Sequence, residues 1–356
     1  MKKVRVLVID DSAFIRKALG RMLQSDPVMD VVGFARDGLE GVKLAKELKP
    51  DVITLDVKMP QLDGIECLRR ILTDRPVPVL MLSSFTGKGA DTTLKALELG
   101  AMDVLDKSSV KSSMDIAAIG PELIQKVRTL AGIADYKIKK PAVELPQALP
   151  EGHANESGFV GGAYDILAIG CSTGGPSVLQ SILVSLPADY PLPVVVVQHM
   201  PPGFTRPLAE RLNSISSVHV VEASHGEHLT PGKVVIAPAG QHLLVRKRGG
   251  KLVGFLSAVP EEALHRPSVT ELFASVAKTV GARAVGVLLT GMGKDGADGL
   301  LAMRRAGGMT MVQDEATSVV WGMPRAALEL GAVQFVLSAA SIRDRLLDLS
   351  IERTSF

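Results

Sequence analysis

Cysteine is scarce: Cys67 and Cys171 are the only two in the chain. That excludes a disulfide framework and fits a reducing compartment. An excess of charge of either sign is also missing. The 40 Lys and Arg residues stand against 38 Asp and Glu, a formal net charge of +2, so electrostatics give no reason to expect a nucleic-acid partner. No apolar run approaches the roughly 18 residues of a membrane span, so membrane insertion is not expected. Nor is a secretory signal, because Asp10 and Asp11 break the amino-terminal apolar run early. These absences lead to the expectation of a soluble, cytoplasmic protein. What is present is 356 residues, 46% apolar and 22% charged, enough for about two well-buried globular domains.

Residues 1–133 alternate short apolar runs with amphipathic segments. Val4–Ile9, Val31–Ala35, Val52–Leu55, Val77–Leu82 and Asp103–Leu105 read as strands, each followed by a helical pattern. Five such units predict a doubly wound parallel sheet, whose site lies beyond the carboxyl ends of its strands. Asp10 and Asp11 follow the first strand and Asp56 ends the third. Three carboxylates converging there would repel one another unless a cation sat among them, and hard oxygen ligands suit Mg²⁺. Ser83 and Lys107 end the fourth and fifth strands. Together these groups make a site for a phosphoryl group carried on a carboxylate. A lone Asp at a strand end is usually a helix cap; five matching positions on four strands are not explained that way.

Residues 134–162 lose apolar periodicity and gather Lys, Pro and Gly, which reads as a linker. From 163 to 356 a second alternation predicts another parallel α/β domain, with a hairpin around Arg248-Gly249-Gly250-Lys251. In it Ile166–Ile169 enters the turn Gly170-Cys171-Ser172-Thr173-Gly174, a Gly-x-Ser-x-Gly pattern that a helix leaves. Such a turn pushes one hydroxyl out at the sheet edge, near free N–H groups at a helix start. The turn lacks both the Gly-x-Gly-x-x-Gly spacing and the Lys of phosphate-binding loops. Cys171 is an alternative nucleophile, but Ser172 holds the middle place. His199 follows the buried run Val194–Val197, and Asp295 follows Ala284–Leu289. If those strands are parallel neighbours, Ser172, His199 and Asp295 share one edge: nucleophile, base and the carboxylate that fixes the base. The N–H groups of Thr173 and Met292 are candidates for an oxyanion hole. His265 is the rival base and Asp298 the rival acid. His153, His219, His225, His228 and His242 read as linker or solvated surface.

At this point the two halves resemble known families. The first is similar to response-regulator receivers. That resemblance implies Asp56 as phosphoacceptor, Mg²⁺ held by Asp10, Asp11 and Asp56 with help from the Lys58 carbonyl, and Ser83 and Lys107 reading the phosphoryl oxygens. It departs at Ser108, where the family usually has Pro. The segments around Ser172, His199 and Asp295, together with His265-Arg266-Pro267-Ser268-Val269 and Val320-Trp321-Gly322-Met323-Pro324-Arg325, resemble the chemotaxis protein-glutamate methylesterases. The resemblance implies a Ser172–His199–Asp295 triad acting on methylated chemoreceptors and deamidating specific glutamines. It also implies a histidine kinase as phosphodonor and a receiver packed over the active-site face. Two other classes stay open: a receiver-controlled binding module that does no chemistry, and a transcription factor, against which stands the lack of a helix-turn-helix pattern.

Overall fold

The computed structural model describes residues 3–83, 87–107, 113–136 and 164–351. Ser108, His153 and the part of the expected linker from 137 to 162 lie outside them.

The first half is five β-α units: β1 Val4–Ile9, α1 Ala13–Gln24, β2 Met29–Ala35, α2 Gly38–Leu48, β3 Val52–Asp56, α3 Gly64–Asp74, β4 Val79–Ser83, α4 Gly87–Glu98, β5 Asp103–Asp106 and α5 Ser113–Tyr136. The strands pair in parallel in the order β2-β1-β3-β4-β5. Every residue of β3 and β4 is buried, as expected of central strands covered on both faces. Local chemistry starts the helices: Ser12, Asp37 and Asp63 each accept a backbone N–H three residues on. The order reverses beside β1, which puts the switch-point crevice over β1 and β3. Asp10 and Asp56 sit there.

The second half runs β6 Ile166–Cys171, α6 Gly175–Ser185, β7 Val194–Gln198, α7 Thr205–Ile215, β8 His219–Glu222, β9 Glu227–His228, β10 Lys233–Ile236, β11 His242–Arg248, β12 Lys251–Ser257, α8 Val269–Val280, β13 Ala284–Leu288, α9 Ala297–Arg305, β14 Met309–Gln313, α10 Met323–Glu329, β15 Phe335–Leu337 and α11 Ala339–Ile351. Seven strands form a parallel sheet in the order β15-β14-β13-β6-β7-β10-β8. The expected hairpin is β11–β12, and it joins β9 in a separate small antiparallel sheet. The three strands that lead to Ser172, His199 and Asp295 are neighbours, in the order β13-β6-β7.

The two halves touch. Leu94 and Leu97 of α4 line a small cavity with Pro176 of α6 and Leu208 and Leu212 of α7. Arg211 of α7 pairs with Glu98 of α4 at 2.7 Å. Among the described residues no helix is long and apolar enough to cross a membrane.

Candidate active site and the acidic site of the first domain

The Ser172 turn is built by its glycines. Gly174 stands at φ +76°, where a side chain would be strained. At Gly170 an added Cβ would meet Val269 Cγ1 at 2.2 Å, so the turn and the start of α8 pack together only without one. The backbone then locks the edge. Ser172 N–H donates to Thr290 O (3.0 Å), and His199 N–H donates to Cys171 O (3.0 Å). Gln198 Nε2 donates to the carbonyls of both Ser172 (3.0 Å) and His199 (2.9 Å), tying the Ser172 turn to His199. Cys171 is fully buried, and burial drives its thiol pKa far upward, so it offers no thiolate.

His199 Nε2 lies 2.9 Å from Asp295 Oδ2. Its Nδ1 is buried and has no hydrogen-bond partner. Asp295 is held from all sides: Ser268 Oγ donates to Oδ1 (2.9 Å), Thr270 N–H to Oδ1 (3.0 Å) and Val269 N–H to Oδ2 (2.7 Å). Burial alone would raise the pKa of this carboxyl; the His199 bond and charge and the two N–H groups at the start of α8 overcome burial and lower it. The rival Asp298 is exposed on α9. His265 stacks on His199, ring centroids 4.2 Å apart. Among the described residues, the N–H groups of Thr173 and Met292 have no hydrogen bond. Thr290 Oγ1 donates to Thr173 O (3.0 Å) and accepts from Val320 N–H (2.9 Å), so the 320–323 segment braces the turn.

Local pattern missed the support. Ser268 and Glu271 match a Ser-x-x-Glu capping signal, and the Ser268 hydroxyl does accept Glu271 N–H. That the same hydroxyl reaches Asp295 depends on tertiary packing. His242 was expected at the surface and is fully buried. As the first residue of β11 it points inward: its Nδ1 accepts Ser268 N–H (3.2 Å) and its Nε2 donates to Pro260 O (3.1 Å). A strand's inward face accepts a neutral histidine when both ring nitrogens find partners.

The first domain lies against this turn. Gly174 N–H donates to Met102 O (3.1 Å). Thr173 Oγ1 donates to Asp103 Oδ2 (2.5 Å), which also pairs with Lys126 Nζ of α5 (2.8 Å). The Thr129 hydroxyl of α5 donates to the Met292 sulfur. Both residues flanking the candidate oxyanion hole are therefore touched by β5 and α5.

At the first domain's own edge, carboxylate oxygens of Asp10, Asp11 and Asp56 lie within 4.8 Å of one another. Lys107 Nζ pairs with Asp10 Oδ2 (2.6 Å) and Asp56 Oδ2 (2.7 Å). Burial pushes Asp56 up to about 6 and the Asp10 charge adds to this; the Lys107 charge and hydrogen bond oppose it. Ser83 is buried, and its hydroxyl accepts from Thr93 Oγ1 (2.9 Å) rather than bonding Asp56.

Comparison with known proteins agrees with both halves. A family model described as CheB methylesterase matches residues 167–346, and one described as response regulator receiver domain matches residues 6–118. A protein-glutamate methylesterase/protein-glutamine glutaminase of Symbiobacterium thermophilum is 46% identical over 354 residues, covering 97% of this chain and 96% of its own. A protein of the same name from Pyrococcus abyssi is 41% identical over 341 residues, covering 96% and 92%. The crystal structure of the Thermotoga maritima CheB methylesterase catalytic domain aligns with a TM-score of 0.51 at 42% identity, over 52% of this chain and 98% of that one.

Proposed function

The chain belongs to the CheB methylesterase family, in the form with a response regulator receiver ahead of the esterase, and from that premise we propose a phosphorylation-controlled Ser172–His199–Asp295 hydrolase. Its activities are those of a protein-glutamate methylesterase and protein-glutamine glutaminase. The substrates are glutamate γ-methyl esters, and specific glutamines, on chemoreceptors. The observation that carries the reading is the His199–Asp295 pair, with the buried Nδ1 left without a partner and the Ser172 and His199 carbonyls tied together by Gln198.

Asp295 accepts a hydrogen bond from the His199 Nε2–H and so fixes the tautomer in which Nδ1 is basic. Nδ1 takes the Ser172 proton as Oγ attacks the ester carbonyl. The N–H groups of Thr173 and Met292 receive the oxyanion; one such donor is typically worth about 10²–10³ in rate. Methanol leaves with the proton from His199. Water, activated by the same nitrogen, releases the glutamate carboxylate. A glutamine amide follows the same path and releases ammonia, more slowly because the amide is the poorer leaving group.

Control lies in the receiver, with Asp56 as phosphoacceptor and a histidine kinase as donor. The acidic site fits Mg²⁺: three carboxylates face one lysine, a net of about two negative charges among hard oxygen ligands. When bound, Mg²⁺ would supply positive charge to phosphoryl oxygens at Asp56. Phosphorylation adds about −1.5 to −2 charge there. Ser83 and Lys107 meet it, drawing on the Ser83–Thr93 bond to α4, the helix that also carries Glu98, Leu94 and Leu97 to the interface. Release of the Met102, Asp103 and Thr129 contacts then opens the Ser172 turn to a receptor helix.

The test is methanol release from methylated chemoreceptor membranes in the presence of a small phosphodonor. Wild type should release methanol, Ser172→Ala should fall to background, and Asp56→Asn should lose the response to the phosphodonor. Equal release by wild type and Ser172→Ala would overturn the nucleophile.

A further inference from the structure

The triad leaves His265 without a role, although among the described residues no other ring lies on the base. It belongs to the segment between β12 and α8 and is half-buried, while its neighbour Leu264 is 88% exposed. The segment is closed on itself by Arg266, whose guanidinium donates to Glu261 O (2.9 Å). From it the His265 ring extends flat against His199, centroids 4.2 Å apart and planes inclined by 20°.

His199 itself is held at one point only. Nε2 is bonded to Asp295, while Nδ1, the atom that must meet Ser172, has no partner. A ring pinned at a single nitrogen can still tilt about that bond. Displacing a reacting atom by about 1 Å can lower a rate about 10²-fold. A flat ring packed on one face removes the tilt and also keeps water off that face, where the imidazolium forms as Ser172 loses its proton.

Resting on the esterase reading, we propose that His265 is a positioning residue for the base: its neutral ring stacks on His199, fixes the plane that aims Nδ1 at Ser172, and shields the imidazolium of the transition state. The charged and titratable groups that face it are His199, Asp295 and, from α5 of the receiver, Lys126. Burial, then the His199 and Lys126 charges, hold the His265 pKa down at about 4, with Asp295 opposing. The ring is therefore neutral near pH 7. It has to be, because a second imidazolium at stacking distance would oppose protonation of His199.

The experiment measures kcat and KM for methanol release from methylated chemoreceptor membranes, with phosphodonor present, for wild type, Ser172→Ala, His265→Ala and His265→Phe. Circular dichroism on each variant checks folding. His265→Ala should lose about 10–100-fold in kcat with KM within about 2-fold of wild type. His265→Phe, which keeps a flat ring and cannot carry a proton, should recover to within a few-fold of wild type. His265→Ala as fast as wild type overturns the inference and leaves the esterase reading standing. His265→Phe as inactive as Ser172→Ala also overturns it, since the ring would then transfer protons itself. A wild type with no Ser172-dependent release overturns the esterase reading and this inference with it.

Discussion

Asp56 ends β3 and Asp295 follows β13, at the carboxyl edges of two parallel sheets of one chain, and their surroundings drive them in opposite directions. Asp56 is buried and Asp295 mostly so, and burial penalises the charged form of each. Asp295 meets two backbone N–H groups, the Ser268 hydroxyl and the His199 ring, and its pKa ends below the ordinary carboxylate range. Asp56 meets Lys107, but shares it with Asp10, and its only backbone donor among the described residues is the Lys58 N–H at 3.4 Å. Its pKa ends at about 6. One site is complete in its own hydrogen bonds, as a charge that must stay fixed through a reaction requires. The other holds more negative charge than its donors satisfy, which suits the proposed binding of a cation and a phosphoryl group. On the proposed reading the same residue type serves a permanent role and a switchable one, and the number of donors aimed at it marks the difference.

The most severe way to break the permanent site is Asp295→Asn. The amide would leave the donors around it mismatched and favour the wrong His199 tautomer. A loss of about 10⁴-fold in kcat is expected with KM little changed, measured by methanol release. If kcat falls less than about 10-fold, Asp295 does not fix the base. The switchable site is sharpened by adding its cation. In metal-free protein, Asp56 binds protons more readily folded than unfolded, so its contribution to stability falls as pH rises from about 4 to about 6. Asp295 acts the other way: its contribution is present above the ordinary carboxylate range and is lost only as pH falls through its lowered pKa. Mg²⁺ at about 100 times its Kd should stabilise the wild type by about 2.7 kcal/mol at pH 7, read as a rise in thermal midpoint, and should stabilise Asp56→Asn less. An equal rise in both would place the ion elsewhere.

Much of this contrast was legible in the sequence. Buried apolar runs announce central strands, and the polar residue that ends such a run must stand at the sheet edge. This is why Asp10, Asp56, Ser83, Lys107, Ser172 and His199 could be picked from order alone. The Gly-x-Ser-x-Gly spacing singled out Ser172 over Cys171, and the structure buries Cys171. What periodicity could not reach were contacts made by unrelated elements. His242 looked like surface because it stands in a polar, loop-like stretch before an apolar run; in β11 it turns inward and is compensated by Ser268 and Pro260, which lie more than 15 positions away. The bond from Thr173 to Asp103 joins residues 70 positions apart across two domains. No local pattern encodes it, because each residue alone is an ordinary polar group near a strand end.

That cross-domain contact supplies the two smaller effects, both opposite in sign to the loss at Asp295. Asp103 is buried and accepts from Thr173 and Lys126 at once. Hydrogen bonds to a charged group contribute about 1.5–3 kcal/mol. Asp103→Asn should therefore raise activity without phosphodonor by roughly 10-fold, and phosphodonor should add correspondingly less. Basal activity equal to wild type would mean that the contact does not hold the closed state. The Arg211–Glu98 pair closes the same interface at its rim, where the Arg211 side chain is 48% exposed. Exposed pairs contribute about 0.2–1 kcal/mol and are screened by salt. Arg211→Ala should raise unphosphorylated activity by about 5-fold at most, and the difference from wild type should shrink between low and high salt. The Asp103 effect, formed in the buried part of the interface, should persist across the same titration. If the two respond alike to salt, the interface is not divided into a dry centre beside the Ser172 turn and a solvated edge at α4 and α7, and inhibition is spread evenly over the receiver's whole face.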